Sequence, residues 1–378
     1  MSRKIFTGAR IFDGERFHDE RALIVSDGRI ETIAALNDLP EGERVVLDGG
    51  VLSAGFIDAQ VNGGGGRMLN DEPSAGSMYI IADGHRRYGT TALLPTLITD
   101  TADATKAAIE AAKDAVKTNR GVAGLHLEGP HLAPARKGAH LASLMRPVED
   151  SDVKAFIAAR EAIGTLLVTM AAEQASVEQV RALAEAGVTV SIGHSDCTSE
   201  QAEERFDAGA RGVTHLFNAM SQMGHRAPGL VGAAIDHPAT WCGVIADPKA
   251  LRTALRAKRG EGKLFLVSDA MSLVGSDKDS FTLNGRTVHR ESGSFCSKVV
   301  LADGTLAGSD VDMASSIRYC TTYLDLTLAE ALRMATLYPA RFLRLEGYGQ
   351  LLPGYRADVV HLNDKTEVTA AWISGERK

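Results

Sequence analysis

Between residues 54 and 270 the chain repeats one pattern eight times: a short apolar run, then a polar or glycine-containing break, often followed by helical periodicity. The runs are AGFIDAQ (54–60), TTALLPTL (90–97), VAGLHLEG (122–129), TLLVTMAAE (165–173), VTVSIGHS (188–195), GVTHLFNA (212–219), CGVIADP (242–248) and KLFLVSDA (263–270). Between them lie helical stretches such as SVEQVRALAEAG and TSEQAEERFDAGA. Apolar strands alternating with amphipathic helices predict a parallel sheet with crossover helices, and eight such units in under 300 residues fit a (β/α)8 TIM-like barrel.

The two ends of the chain read differently. KIFTGARIFDG, RALIVSDGRIETIAA and GERVVLDGGVLSA are short strand patterns joined by Asp-Gly and Gly turns, and ADVVHLNDKTEVTAAWISGE near the C-terminus looks alike. Such segments predict one small β sandwich built from both termini, residues 1–52 and 346–378, around a barrel over 53–345.

Composition narrows the class of function. Of 378 residues, 44% are hydrophobic and 24% charged, as in a globular protein, and a net charge of −7 gives nucleic acid or an anionic membrane no electrostatic hold. No apolar run approaches the ~20 residues of a membrane span. The four cysteines, Cys197, Cys242, Cys296 and Cys320, form no C-x-x-C pair, which points away from a zinc ribbon or disulfide framework. A reducing cytoplasmic setting is the expectation.

Chemistry concentrates where the runs end. Glu128 closes the third, His194 the fifth and His215 the sixth, and in a barrel the strand ends converge on the catalytic face. Two imidazoles and a carboxylate suit Zn²⁺, or Fe²⁺, Co²⁺ or Mn²⁺, with a position left for water. Any one of these histidines alone is as well explained by a structural hydrogen bond. Asp269, ending the eighth run, is placed to be the acid/base beside a metal, although an aspartate there also suits a helix cap. His140, in the loop after Glu128, is a candidate donor to a developing oxyanion. His126 and His131 flank Glu128 and compete weakly with it. NAMSQMGHRAPG offers Asn218, the Ala219 backbone, His225 and Arg226, the last suited to a phosphate or simply exposed.

Together, GFIDAQVNGGGG, HLEGPHL, KGAH, SIGHSDC, VTHLFNAM, HRAPGLVGAA, LVSDAM, DGTLAGSDVDM and GYGQLLPGYRADVVHLN, in this order from about residue 50 to 360, resemble the N-acetylglucosamine-6-phosphate deacetylases of the amidohydrolase superfamily. The resemblance implies hydrolysis of a sugar N-acetyl group, with Glu128, His194 and His215 on the metal, Asp269 as acid/base and His140 polarising the carbonyl. It further implies sugar-phosphate contacts from Ala139, His140, Asn218, Ala219 and Leu306, Ala307 and Gly308. Arg226 would reach the neighbouring site of a homodimer. Many amidohydrolases carry His-x-His at the end of the first strand for a second metal. Here those positions are Gln60 and Asn62, feeble zinc ligands, so one metal per subunit is expected, with the amides hydrogen-bonding nearby. One departure stands out: after Ala246 the chain runs ADPKALRTAL, about five residues shorter than the family's pattern and without its substrate-contacting histidine.

Overall fold

The computed structural model describes residues 3–377 except 119–120, 247–249, 284, 292–297, 303 and 305. Eight parallel strands pair in sequence order: β1 (Phe56–Val61), β2 (Thr90–Ile98), β3 (Leu125–Glu128), β4 (Leu166–Met170), β5 (Thr189–Ile192), β6 (Gly212–Val213), β7 (Trp241–Val244) and β8 (Leu264–Leu266). The two edges of the sheet meet where Val61 bridges Ala270 in parallel and the Asp269 N–H donates to the Gln60 carbonyl at 3.0 Å. The ring is a nearly closed TIM-like barrel, and each predicted run supplies one of its strands.

Burial on both faces explains why these strands are continuous apolar runs and not alternating ones. All nine residues of β2, TTALLPTLI, are buried. Pro95, which cannot donate to a ladder, falls at a register shift between β2 and β1, where a sheet tolerates it. The helices outside the ring start where side chains take up otherwise free N–H groups. Ser176 and Thr198 cap Val177–Glu185 and Ser199–Asp207, each in a reciprocal capping box with Gln179 or Gln201. Each cap is worth about 1 kcal/mol.

Strands from the two chain ends interleave in one six-stranded sheet. Val51–Ala54 pairs in parallel with Arg10–Phe12 on one side and antiparallel with Val359–Leu362 on the other. A four-stranded sheet of residues 3–7, 21–26, 29–35 and 43–46 shares a core with it. Phe6, Leu23 and Val25 there meet Ile11, Leu52, Val359 and Trp372, and the Phe6 and Trp372 rings contact edge to face at 5.1 Å.

One element is not announced by the alternating pattern. After β8 the chain forms an antiparallel meander of Ser280–Leu283, Arg286–Glu291, Lys298–Leu301 and Leu306–Ser309. Leu283, Val288 and Leu301 cluster with Met68, Ile98, Ala139 and Met271 beside the strand ends. The last meander strand returns to the barrel: the Ser309 N–H donates to the Asp269 carbonyl at 3.1 Å, and the Met271 N–H to the Ser309 carbonyl at 3.0 Å.

Candidate metal centre and active site

Glu128 is the last residue of β3, and His194 and His215 each lie two residues beyond β5 and β6. All three are buried, and they are the one group of His, Cys, Asp and Glu among the described residues whose donor atoms converge, all within 4.8 Å of one another. Glu128 Oε1 is 3.2 Å from His194 Nε2 and 3.0 Å from His215 Nε2, and the two Nε2 atoms are 3.1 Å apart. Behind His194, Nδ1 lies 2.7 Å from the Arg136 carbonyl. A carbonyl only accepts, so Nδ1 carries the proton and Nε2 presents a lone pair to the centre, the arrangement that prepares a histidine for a metal. The donor set therefore fits a divalent cation.

Local backbone geometry aims these groups. His194, His215 and Asp269 have φ of 47°, 36° and 50°. Left-handed backbone at a non-glycine residue costs on the order of 1 kcal/mol or more, and such residues cluster at functional sites. Here the turn breaks strand geometry at each end.

The two site carboxylates are driven in opposite directions. Burial raises the Glu128 carboxyl, but the adjoining His194 and His215 imidazoles outweigh it and hold the group well below the usual range. Asp269 is pushed up to about 7, by burial first and then by the charge of Glu128, with His215 and Asn62 pulling the other way. One carboxylate thus stays anionic while the other is poised to exchange a proton near neutral pH. The amides at the end of β1 lie between them. Gln60 Nε2 is 3.1 Å from both Glu128 Oε2 and Asp269 Oδ1, and Asn62 Nδ2 is 2.7 Å from Asp269 Oδ1.

His140 is buried, its ring centroid 4.4 Å from that of His194. Burial and then the neighbouring His194 lower its pKa to about 3, so the ring is neutral. A cavity of about 360 Å³ opens over the group, lined by Asn62, Glu128, Ala139, His140, His194, His215, Asn218, Ala219, Asp269 and Gly308. Leu306 and Ala307 precede Gly308 in the strand beside Asp269. Arg226 lies in an exposed stretch with His225 and does not line the cavity of its own chain. The shortened segment after Ala246 falls on Asp247, Pro248 and Lys249, outside the described residues.

Six lining residues were missed by sequence reasoning: Ile98, Ala135, Arg136, Gly138, Ile245 and Met271. Arg136 acts on His194 through its backbone carbonyl, which no residue type encodes; Ala135 and Gly138 are unmarked loop positions, and the other three look like ordinary core. The competing histidines are structural: His126 Nε2 is 2.7 Å from Thr169 Oγ1, and His131 Nδ1 is 3.1 Å from the Arg146 carbonyl. A larger groove of about 630 Å³ runs between helices 102–115 and 150–163, outside the barrel, and holds none of the converging donors.

A sequence model described as the Amidohydrolase family matches residues 51–378. The chain belongs to the amidohydrolase family. It is accordingly a metal-dependent hydrolase acting on an amide. Among similar proteins is an N-acetylgalactosamine-6-phosphate deacetylase from Shewanella sp. (strain ANA-3), 40% identical over 98% of this chain and 95% of that protein. An N-acetylglucosamine-6-phosphate deacetylase from Haemophilus influenzae is 32% identical over 94% of each. The crystal structure of N-acetylglucosamine-6-phosphate deacetylase from Pasteurella multocida superposes with a TM-score of 0.93 at 31% identity, covering 100% of this chain and 99% of that one. That agreement extends the family likeness to both chain ends.

Proposed function

We propose that the protein hydrolyses the N-acetyl group of N-acetyl-D-glucosamine 6-phosphate, giving D-glucosamine 6-phosphate and acetate in amino-sugar breakdown. The observation that carries this reading is the convergence of Glu128, His194 and His215 in one cavity with Asp269, which Gln60 joins to Glu128. Similar proteins bearing deacetylase names supply the substrate class.

Glu128, His194 and His215 would hold one divalent cation per subunit, zinc or alternatively iron, cobalt or manganese. When bound, such a cation supplies Lewis acidity to water and to the amide carbonyl. Asp269 takes the proton from the attacking water as its oxygen bonds to the acetyl carbon. As the C–N bond breaks, Asp269 returns that proton to the leaving nitrogen, and the second water proton leaves with the acid and passes to the amine, so ammonium and acetate account for all atoms. His140 donates to the carbonyl oxygen as negative charge grows on it. Ala139, Asn218, Ala219 and the Leu306, Ala307 and Gly308 backbone would line the sugar. Arg226, exposed on its own subunit, would bind the phosphate in the partner's site of a homodimer. The same reading divides the chain into 1–52, 53–345 and 346–378, and assigns it to the cytoplasm; no helix among the described residues is long and apolar enough to cross a membrane.

A second reading, the C4 epimer N-acetyl-D-galactosamine 6-phosphate, is favoured by the 40% identical Shewanella relative. Acetate release by zinc-loaded protein should be measured on both sugar phosphates. A preference above tenfold for the galacto epimer replaces the substrate, and no release from either refutes the proposal.

A further inference from the structure

Two imidazoles, His140 and His194, meet at the cavity with their rings tilted by 60° and with opposite backbone groups behind them. A carbonyl stands behind His194 Nδ1. Behind His140 Nδ1 stands Thr99, the buried residue that follows β2. The Thr99 N–H points at His140 Nδ1 at 3.3 Å, and the Thr99 hydroxyl lies 2.8 Å from the same atom. A backbone N–H only donates, so Nδ1 must offer its lone pair, and a proton on Nδ1 would meet that N–H head on. In the neutral ring the proton is then on Nε2.

We propose that Thr99 is a positioning residue that holds His140 as the Nε2–H tautomer, so that the ring presents a hydrogen-bond donor to the acyl oxygen of the substrate. This rests on the reading above that His140 meets that oxygen. The other tautomer would turn a lone pair onto a developing oxyanion and repel it. Two identical side chains are thereby given different tasks by what lies behind them: a carbonyl makes His194 a ligand, and a threonine makes His140 a donor.

The absence of a side chain at residue 129 leaves room for the Thr99 hydroxyl. Gly129, directly after Glu128, has φ of 93°, and a Cβ there would lie 2.3 Å from Thr99 Oγ1. The neighbouring loop is seated by the His140 N–H, which donates to the Lys137 carbonyl at 3.0 Å, and by Gly138, whose φ of 53° lets the loop pass over His194.

Histidine-labelled, zinc-loaded protein gives a test that needs no turnover. Long-range ¹H–¹⁵N spectra, with His140 assigned by its loss in His140→Gln, should show a protonated Nε2 and a bare Nδ1. A protonated Nδ1 overturns the proposal. Kinetically, Thr99→Val removes the hydroxyl at similar volume and should lower kcat about tenfold with KM within about twofold, whereas Thr99→Ser restores most of the rate. In a His140→Gln background the Thr99→Val change should add less than about twofold, because its partner is already gone. Equal effects of Thr99→Val in both backgrounds, or none in either, overturn the assignment. Wild-type protein inactive on both sugar phosphates refutes the substrate reading alone, and the spectra still decide the tautomer.

Discussion

Replacing Asp269 by Asn separates proton transfer from everything else the centre does. The hydrogen bonds to its carboxylate from Asn62 at 2.7 Å and Gln60 at 3.1 Å both end on Oδ1, and the amide oxygen of the variant can accept both. The three converging donors are untouched. Asp269→Asn should therefore bind metal as wild type does and unfold no more easily. What it loses is the proton carrier. General acid–base catalysis is worth about 10²–10⁴-fold, or roughly 3–5 kcal/mol of barrier, so kcat should fall on the order of a thousandfold.

The pH dependence gives the sharper test. Burial first, then the charge of Glu128, raises Asp269 to about 7. As pH falls through that value the base is protonated, so kcat/KM falls on the acid side. A cation beside it favours the carboxylate, which places the limb of the loaded enzyme below 7. In Asp269→Asn the limb should vanish. Rates on N-acetyl-D-glucosamine 6-phosphate between pH 5 and 9, with metal content measured on the same samples, decide it. More than a tenth of wild-type turnover, or an unchanged acid limb, would refute the reasoning.

Asp58, fully buried below the site, is raised to about 7 by burial, and its Oδ2 has no hydrogen-bond partner. Because the folded state holds this proton more tightly than the unfolded one, it lowers stability as pH rises from about 4 to about 7, by up to about 1.4 kcal/mol per unit. Asp58→Asn should match wild type near pH 4 and melt higher at pH 7.5; a Tm difference independent of pH counts against this. Chelation should abolish activity and lower Tm, with roughly 4 kcal/mol at stake for metal at 1,000 times its Kd. Elemental analysis finding two ions per chain would defeat the single-metal reading. Asn62→Ala removes a bond that lowers the Asp269 pKa, so the acid limb should move to higher pH, and a limb that stays put or moves down would contradict the assigned contact.

The barrel was legible because its strands are buried on both faces, which leaves a run of apolar residues ending at one polar side chain. Glu128, His194, His215 and Asp269 were readable as candidates for the same reason: each stands at or just past a strand end. The meander strands between 280 and 309 were not, since the apolar face they bury is short. Thr99 and the Arg136 carbonyl escaped for a different reason. Arg136 acts on a histidine through its carbonyl and Thr99 through its N–H and hydroxyl, and a threonine after an apolar strand carries no mark of what it will face. Arg226 is the reverse case, singled out by residue type yet not among the residues lining its own chain's cavity.

The end of β1 changes the electrostatics more than the ligand count. Glu128 and Asp269 are both buried carboxylates, and Glu128 raises the pKa of Asp269. A second cation between them would cancel the repulsion but would also drive both pKa values further down, away from neutral pH. Gln60 instead donates from one NH₂ group to both carboxylates, at 3.1 Å each, and Asn62 adds a second donor to Asp269. Neutral donors hold the pair in place while adding no full positive charge, so burial still dominates at Asp269. The amides are then no degraded metal site. They hold the carboxylate on which the proposed reaction depends, Asn62 lowering its pKa against the larger effect of burial, and a charged histidine in either position would lower it further and weaken the acid/base role even with every metal ligand intact.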